Sequence, residues 1–230
     1  MEVRIRMKKF LIFSALALMM GYSSVFAGQP AETKPGGNVT AAMLTSDKPV
    51  EFDVLEGKST IEFIGKSFMH HFEGISHEPE GFTKGPFNNA LYTDCEIKVP
   101  VNSLEGNALG GKKDDLSKNI HENLESDKYP FITFKLKKWV PGKKVDLKNG
   151  EADYLVQGDL TIHNVTKSVI FPIKMDIENG YLHFKGEYDR LNVHDYGVEP
   201  KPLMSIIHVG DHVDVKFDIY EDINTKEKAG

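Results

Sequence analysis

Cysteine is almost absent from this chain. Cys95 stands alone among 230 residues, which excludes an intramolecular disulfide and leaves the fold to be held by its core. About 200 residues are enough to bury one. Cys95 falls on the apolar face of a predicted strand, where a free thiol behaves as a small hydrophobe, and no neighbouring base marks it as a nucleophile. The chain also lacks a G-x-S-x-G elbow, an H-E-x-x-H pair, a P-loop and a G-x-G-x-x-G turn, so nothing in the sequence indicates an enzyme. Basic residues are scattered rather than clustered and the net charge is −6. Such a chain repels nucleic-acid phosphates and anionic surfaces, so no nucleic-acid partner is expected. The one long apolar run, Phe10 to Met20, falls short of the ~20 residues needed for an integral membrane span.

That run reads instead as the centre of a cleaved secretory signal over residues 1–27. Arg4, Arg6, Lys8 and Lys9 precede it, and Val25-Phe26-Ala27 supplies a cut near Ala27. Cleavage removes four bases and one acid, which moves the formal charge from −6 to −9. Residues 28–48 are small, polar and rich in Gly and Pro, the composition of a flexible leader. One domain is expected over residues 49–223, followed by a charged tail, 224–230.

Within the domain, apolar residues alternate with polar ones. Leu91, Thr93, Cys95, Ile97, Val99 and Val101 share a face; so do Val169, Phe171, Ile173, Met175 and Ile177. Further sets are Tyr154, Val156, Gly158, Leu160 and Ile162; Leu182, Phe184, Gly186 and Tyr188; and Val213, Val215, Phe217 and Ile219. A period of two repeated this often means strands with one wet and one dry face. Asn179-Gly180, Asn149-Gly150 and His163-Asn164 sit where tight hairpins are needed. One helix is predicted over Lys112–Glu125, with Leu116, Ile120 and Leu124 as a narrow apolar stripe. Tyr129-Pro130 stops it. One short helix cannot cover the dry face and edges of a flat sheet. The expected fold is therefore all-β, an antiparallel barrel of about eight strands lidded at one end by that helix.

The ordered series Cys95–Leu104 (CEIKVPVNSL), Lys113-Asp114, Leu124–Phe134 (LESDKYPFITF) and Gly158–Lys167 (GDLTIHNVTK) resembles the YceI-like family over residues 50–222. The resemblance implies an extended, eight-stranded, lipocalin-like barrel secreted to the periplasm, with a polyisoprenoid or fatty-acyl chain held in the lumen. Two departures bear on site roles. Lys113 stands where the family has Arg, and the late Arg-x-Asp-Phe-Gly element survives only loosely, as Arg190 with Asp195-Tyr196-Gly197.

A long-chain isoprenoid or fatty-acyl molecule is thus the expected partner, with no cofactor. The expected lumen lining is Phe63, Phe72, Leu91, Cys95, Phe134, Leu136, Val156, Leu160, Phe171, Met175, Phe184, Tyr188 and Phe217. Gly158, Gly186, Thr93 and Cys95 are expected to leave room for it. Two rival readings stay open: a metal- or haem-binding protein using His70 and His71, and a filled barrel serving as a stress or interaction module. No local His pair can chelate, since His71 and His77 lie ~20 Å apart along an extended strand. Homodimer formation suits an exposed-edge β domain, and no sequence feature decides it.

Overall fold

The alternating segments fold as strands of one antiparallel sheet closed on itself. The structure is a computed structural model that describes residues 37–66, 71–88, 93–108, 113–200 and 212–223. The signal segment, Leu91, His70 and the charged tail lie outside the described residues. Among those described there are eleven β segments. They are β1 (Val50–Val54), β2 (Thr60–Lys66), β3 (His71–Ser76), β4 (Glu80–Gly85), β5 (Asp94–Pro100) and β6 (Glu105–Ala108); then β7 (Phe131–Asp146), β8 (Glu151–Ile162), β9 (Val165–Glu178), β10 (Tyr181–Asn192) and β11 (His212–Ile223). Two helices join them, α1 (Ala41–Leu44) and α2 (Lys113–Asn123).

Eleven segments make eight strands because three of the strands are broken. β1 and β2 lie end to end against β11, with Val54 opposite Glu221 and Phe63 opposite Val215. β4 and β3 continue one another in the same way, as do β5 and β6. The sheet runs from β1 through β4, β5, β7, β8, β9 and β10 to β11, which pairs back onto β1. It is a closed eight-stranded antiparallel barrel, and closure leaves the long strands without a free edge. The first break is stitched to β11: the Tyr220 N–H donates to Ser59 Oγ at 2.9 Å, and the Ser59 hydroxyl donates to the Tyr220 carbonyl at 3.1 Å. Ser76 and Ser103 hydroxyls meet at 2.6 Å beside the other two breaks.

The hairpins form where expected. Asn179 and Gly180 take φ of 51° and 78°, His163 and Asn164 take 51° and 61°, and Gly150 takes 74°. These left-handed pairs match the twist of the flanking strands.

Each end of the barrel carries its own packing. At the β7–β8 and β9–β10 turns, the leader assignment needs correction. Residues 37–48 are not a free leader: Leu44 is fully buried, Val39 is buried, and the Val39 N–H donates to the Gly180 carbonyl at 2.8 Å. Two apolar side chains sufficed to seat a segment whose average composition is that of a linker. The opposite end holds α2, whose Leu116 and Ile120 are buried against β6. Gly106 lets the helix approach, since a methyl there would meet the backbone of Leu116 and Ser117 at 2.9 Å. The Gly106 N–H donates to Ser117 Oγ at 2.9 Å, satisfying one strand group that no neighbouring strand reaches. Tyr196 and Val198 pack at the same end with Ile162, Leu191 and Val213. Among the described residues no helix is long and apolar enough to cross a membrane.

Candidate functional site: the barrel lumen

Cross-strand register decides which side chains enter the barrel, because directly opposed residues share a face. Val156 pairs with Phe171, Gly158 with Val169, Phe184 with Met175 and Ile219, Gly186 with Phe217, and Tyr188 with Val215. Val215 in turn faces Phe63, Gly65 faces Phe72, Thr83 faces Cys95, and Ile97 faces Phe134, which faces Leu160. All the described residues of the expected lining therefore point inward.

They do not share one environment. Val156, Met175 and Phe184 are buried in a packed layer with Phe52, Trp139, Tyr154 and Leu182 toward the α1 end. Phe63, Phe72, Cys95, Phe134, Leu136, Leu160, Phe171, Tyr188 and Phe217 are inward-facing yet only partly buried. Phe171 joins three of these rings, with centroids 5.3 Å from Phe134, 5.4 Å from Phe217 and 5.9 Å from Tyr188. The middle of the barrel is thus walled by aromatic rings that retain accessible surface.

The inner-face glycines do not leave the space expected of them. A methyl on Gly186 would collide with the Phe217 ring, and one on Gly158 with the Phe134 ring. Gly65 and Gly74 stand in the same relation to Phe72 and Phe63. Each glycine is a seat for a ring, which lies against the wall where a side chain would have pushed it toward the axis.

One carboxylate enters this apolar interior. Glu221 lies between Leu182 and Val54 in register and is fully buried. Thr83 Oγ1 donates to its Oε1 at 2.9 Å, while Oε2 has no partner among the described residues. Burial, then the nearby charge of Asp53, outweighs the Thr83 bond and pushes the carboxyl up to about 8. Burial and then Glu221 likewise raise the Cys95 thiol, so Cys95 is not a ready nucleophile. A second inner-face polar atom, Trp139 Nε1, is also buried without a partner among the described residues. Period-two reading misses Trp139 because the β7–β8 register shifts between Leu136 and Lys138, which moves the inward parity from even to odd numbers. Glu221 was within reach of the pattern, since it simply continues the set 213, 215, 217, 219.

The polar candidates are arranged differently from expectation. His71 is placed only by its backbone, in β3, and His77 is exposed. Lys113 is exposed and ion-paired with Glu105. Arg190 sits exposed at the β10 irregularity with φ 57°, its N–H donating to Asp214 Oδ1 at 3.0 Å. Among the described residues, the group with metal-ligand spacing is Asp176, Glu178 and His183, on the outer face. There His183 Nδ1 lies 2.9 Å from Asp176 and Nε2 lies 2.8 Å from Asp218, with Tyr220 stacked on the ring at 4.4 Å. This is a hydrogen-bonded clasp across β9, β10 and β11, on the outer face, that the sequence pattern did not mark.

The YceI-like domain model matches residues 52–220. Among solved structures, Burkholderia cenocepacia BcnA is similar, with a TM-score of 0.59 at 22% identity over 73% of this chain and 99% of that one. A polyisoprenoid binding domain from Saccharophagus degradans, implicated in plant cell wall breakdown, also gives a TM-score of 0.59, at 14% identity over 76% of this chain and 99% of that one. At these identities the shared property is the fold. Among curated proteins none matches in sequence.

Proposed function

This chain belongs to the YceI-like family, and we propose that it carries or sequesters a long apolar molecule, polyisoprenoid or fatty-acyl in type, without chemical turnover. The observation that supports this reading is the inner ring wall: Phe63, Phe72, Phe134, Phe171 and Phe217 face inward yet keep accessible surface, between two packed ends. An eight-stranded barrel either fills its interior with side chains or holds one slender ligand. Accessible inward aromatics favour the second state over the filled-module alternative. The Saccharophagus domain named for polyisoprenoid binding has the same fold, which favours a ligand of that class here. Each methylene withdrawn from water contributes about 0.8 kcal/mol, so ten contribute about 8 before ordering costs. Tight retention follows from length alone.

The same reading places the mature chain in the periplasm, after removal of residues 1–27. Solvent extraction and native mass spectrometry of the purified protein test the ligand. A bound apolar molecule, or uptake of polyprenyl and fatty-acyl probes, is the expected result; absence of both overturns the carrier reading. Fractionation with N-terminal sequencing tests the location, with Gly28 expected as the first residue.

A further inference from the structure

Two polar atoms inside the barrel have no hydrogen-bond partner among the described residues. Glu221 Oε2 and Trp139 Nε1 are both buried and both without a hydrogen-bond partner. Buried polar groups are almost always paired, because an unpaired one forfeits its hydration with no return. Here two orphans fall in the same apolar end of one barrel. Phe52 lies opposite Thr83, the residue that donates to Glu221. The Phe52 ring is 5.6 Å from Phe87, and Phe87 is 6.4 Å from Trp139. The two orphans therefore flank one short aromatic bridge at the α1 end of the lumen.

We propose that this end is a receptor for the polar terminus of the bound chain, an uncharged group that accepts hydrogen bonds, such as an alcohol or an amide. The proposal rests on the lumen-binding reading above and adds a direction to it: the polar end goes in toward α1 and the tail lies along the ring wall.

The donor chemistry selects the class. An indole N–H can only donate. Glu221 uses Oε1 to accept from Thr83, and its elevated carboxyl leaves an O–H to donate from Oε2 at neutral pH. Each is then a donor left without an acceptor among the described residues. A phosphate terminus would instead bring an anion next to a carboxyl group inside a wall of Phe52, Phe87 and Leu182, which is costly without a paired cation.

Matched probes test this directly: phytol, which ends in a hydroxyl; phytane, the same carbon chain without it; and phytyl phosphate. Each is titrated into the delipidated full-length mature protein from mixed micelles. Phytol is expected to bind at least about tenfold more tightly than either of the others, the scale of one well-made buried hydrogen bond. The phytol-to-phytane ratio should collapse toward one in Trp139→Phe and Glu221→Leu, and persist in Glu221→Gln, whose amide still accepts from Thr83 and still donates. Using the ratio cancels any general loosening of the core, and should Trp139→Phe fail to fold, the two Glu221 variants decide. Equal affinity for phytol and phytane in the wild type, or a ratio unchanged in Glu221→Leu, overturns the receptor and leaves the carrier reading standing. Binding of none of the three probes overturns both.

Discussion

Phe217 rests on Gly186, its direct antiparallel partner across β10 and β11, so closely that a methyl on the glycine would occupy the ring's place. The Pro172 carbonyl lies 2.7 Å from the same point, so the ring cannot be relieved by shifting the methyl aside. Gly186→Ala is therefore expected to cost about 1–3 kcal/mol through overpacking. Gly186→Ala with Phe217→Leu should cost less than the sum of the single changes. Urea unfolding of the four proteins measures the coupling; strict additivity would contradict the pairing.

Glu221 gives the protein a pH signature. Its carboxyl, ordinarily near 4.5, is pushed up to about 8 in the folded state. Between those values the folded chain holds a proton that the unfolded chain has released. Stability from this group is thus greatest in acid and falls as pH rises through the window, by up to about 1.4 kcal/mol per pH unit. Glu221→Gln should remove the slope, so its advantage over wild type grows from about pH 5 to about pH 9. Denaturant midpoints at both ends of that range check the sign.

The ring wall can be blocked without adding charge. Leu136 faces Gly158 across β7 and β8 and is only partly buried. Leu136→Trp fills space along the axis and should weaken retention of a long chain more than tenfold, because several methylenes lose their place at about 0.8 kcal/mol each. Lys113→Ala, at an exposed ion pair on the first residue of α2, should leave retention unchanged. Native mass spectrometry of the two variants compares ligand occupancy.

Leu44 ties the N-terminal segment to the core. Leu44→Ala should cost about 2–5 kcal/mol, the range for a buried leucine, although composition alone would class its surroundings as linker. A change within about 0.5 kcal/mol of wild type, typical of an exposed site, would mean the segment is not seated.

His183 clasps three strands on the outer face. Its two ring nitrogens lie 2.9 Å from Asp176 and 2.8 Å from Asp218, and Tyr220 stacks on the ring. His183→Ala removes both contacts and the ring stacked on Tyr220, and should lower stability by about 1–3 kcal/mol. Thermal unfolding of the variant against the wild type reads the loss.

Alternation from Tyr154 to Ile162, from Val169 to Ile177 and from Val213 to Ile219 was enough, read along the chain, to determine antiparallel strands with one dry face. The hairpins at Asn179-Gly180 and His163-Asn164 were equally legible, because positive φ is a local demand that few residues meet. Most of the inward set followed from the same parity. Tertiary structure decided what parity cannot carry. A period of two says which face a residue takes but not which residue stands opposite, so closure of β1 on β11 and the seating of Phe217 on Gly186 stayed hidden. One bulge in β7 reversed the parity that would have placed Trp139, and Leu44 was concealed by the average composition around it. Glu221 was in the correct phase but of the wrong chemistry for a core, and only its burial, hydrogen-bonded to Thr83, reveals that the barrel keeps a polar group inside. Local sequence encodes faces and turns because those depend on neighbouring dihedrals; partners and orphans depend on residues distant in the chain, as far apart as the 138 positions between Thr83 and Glu221.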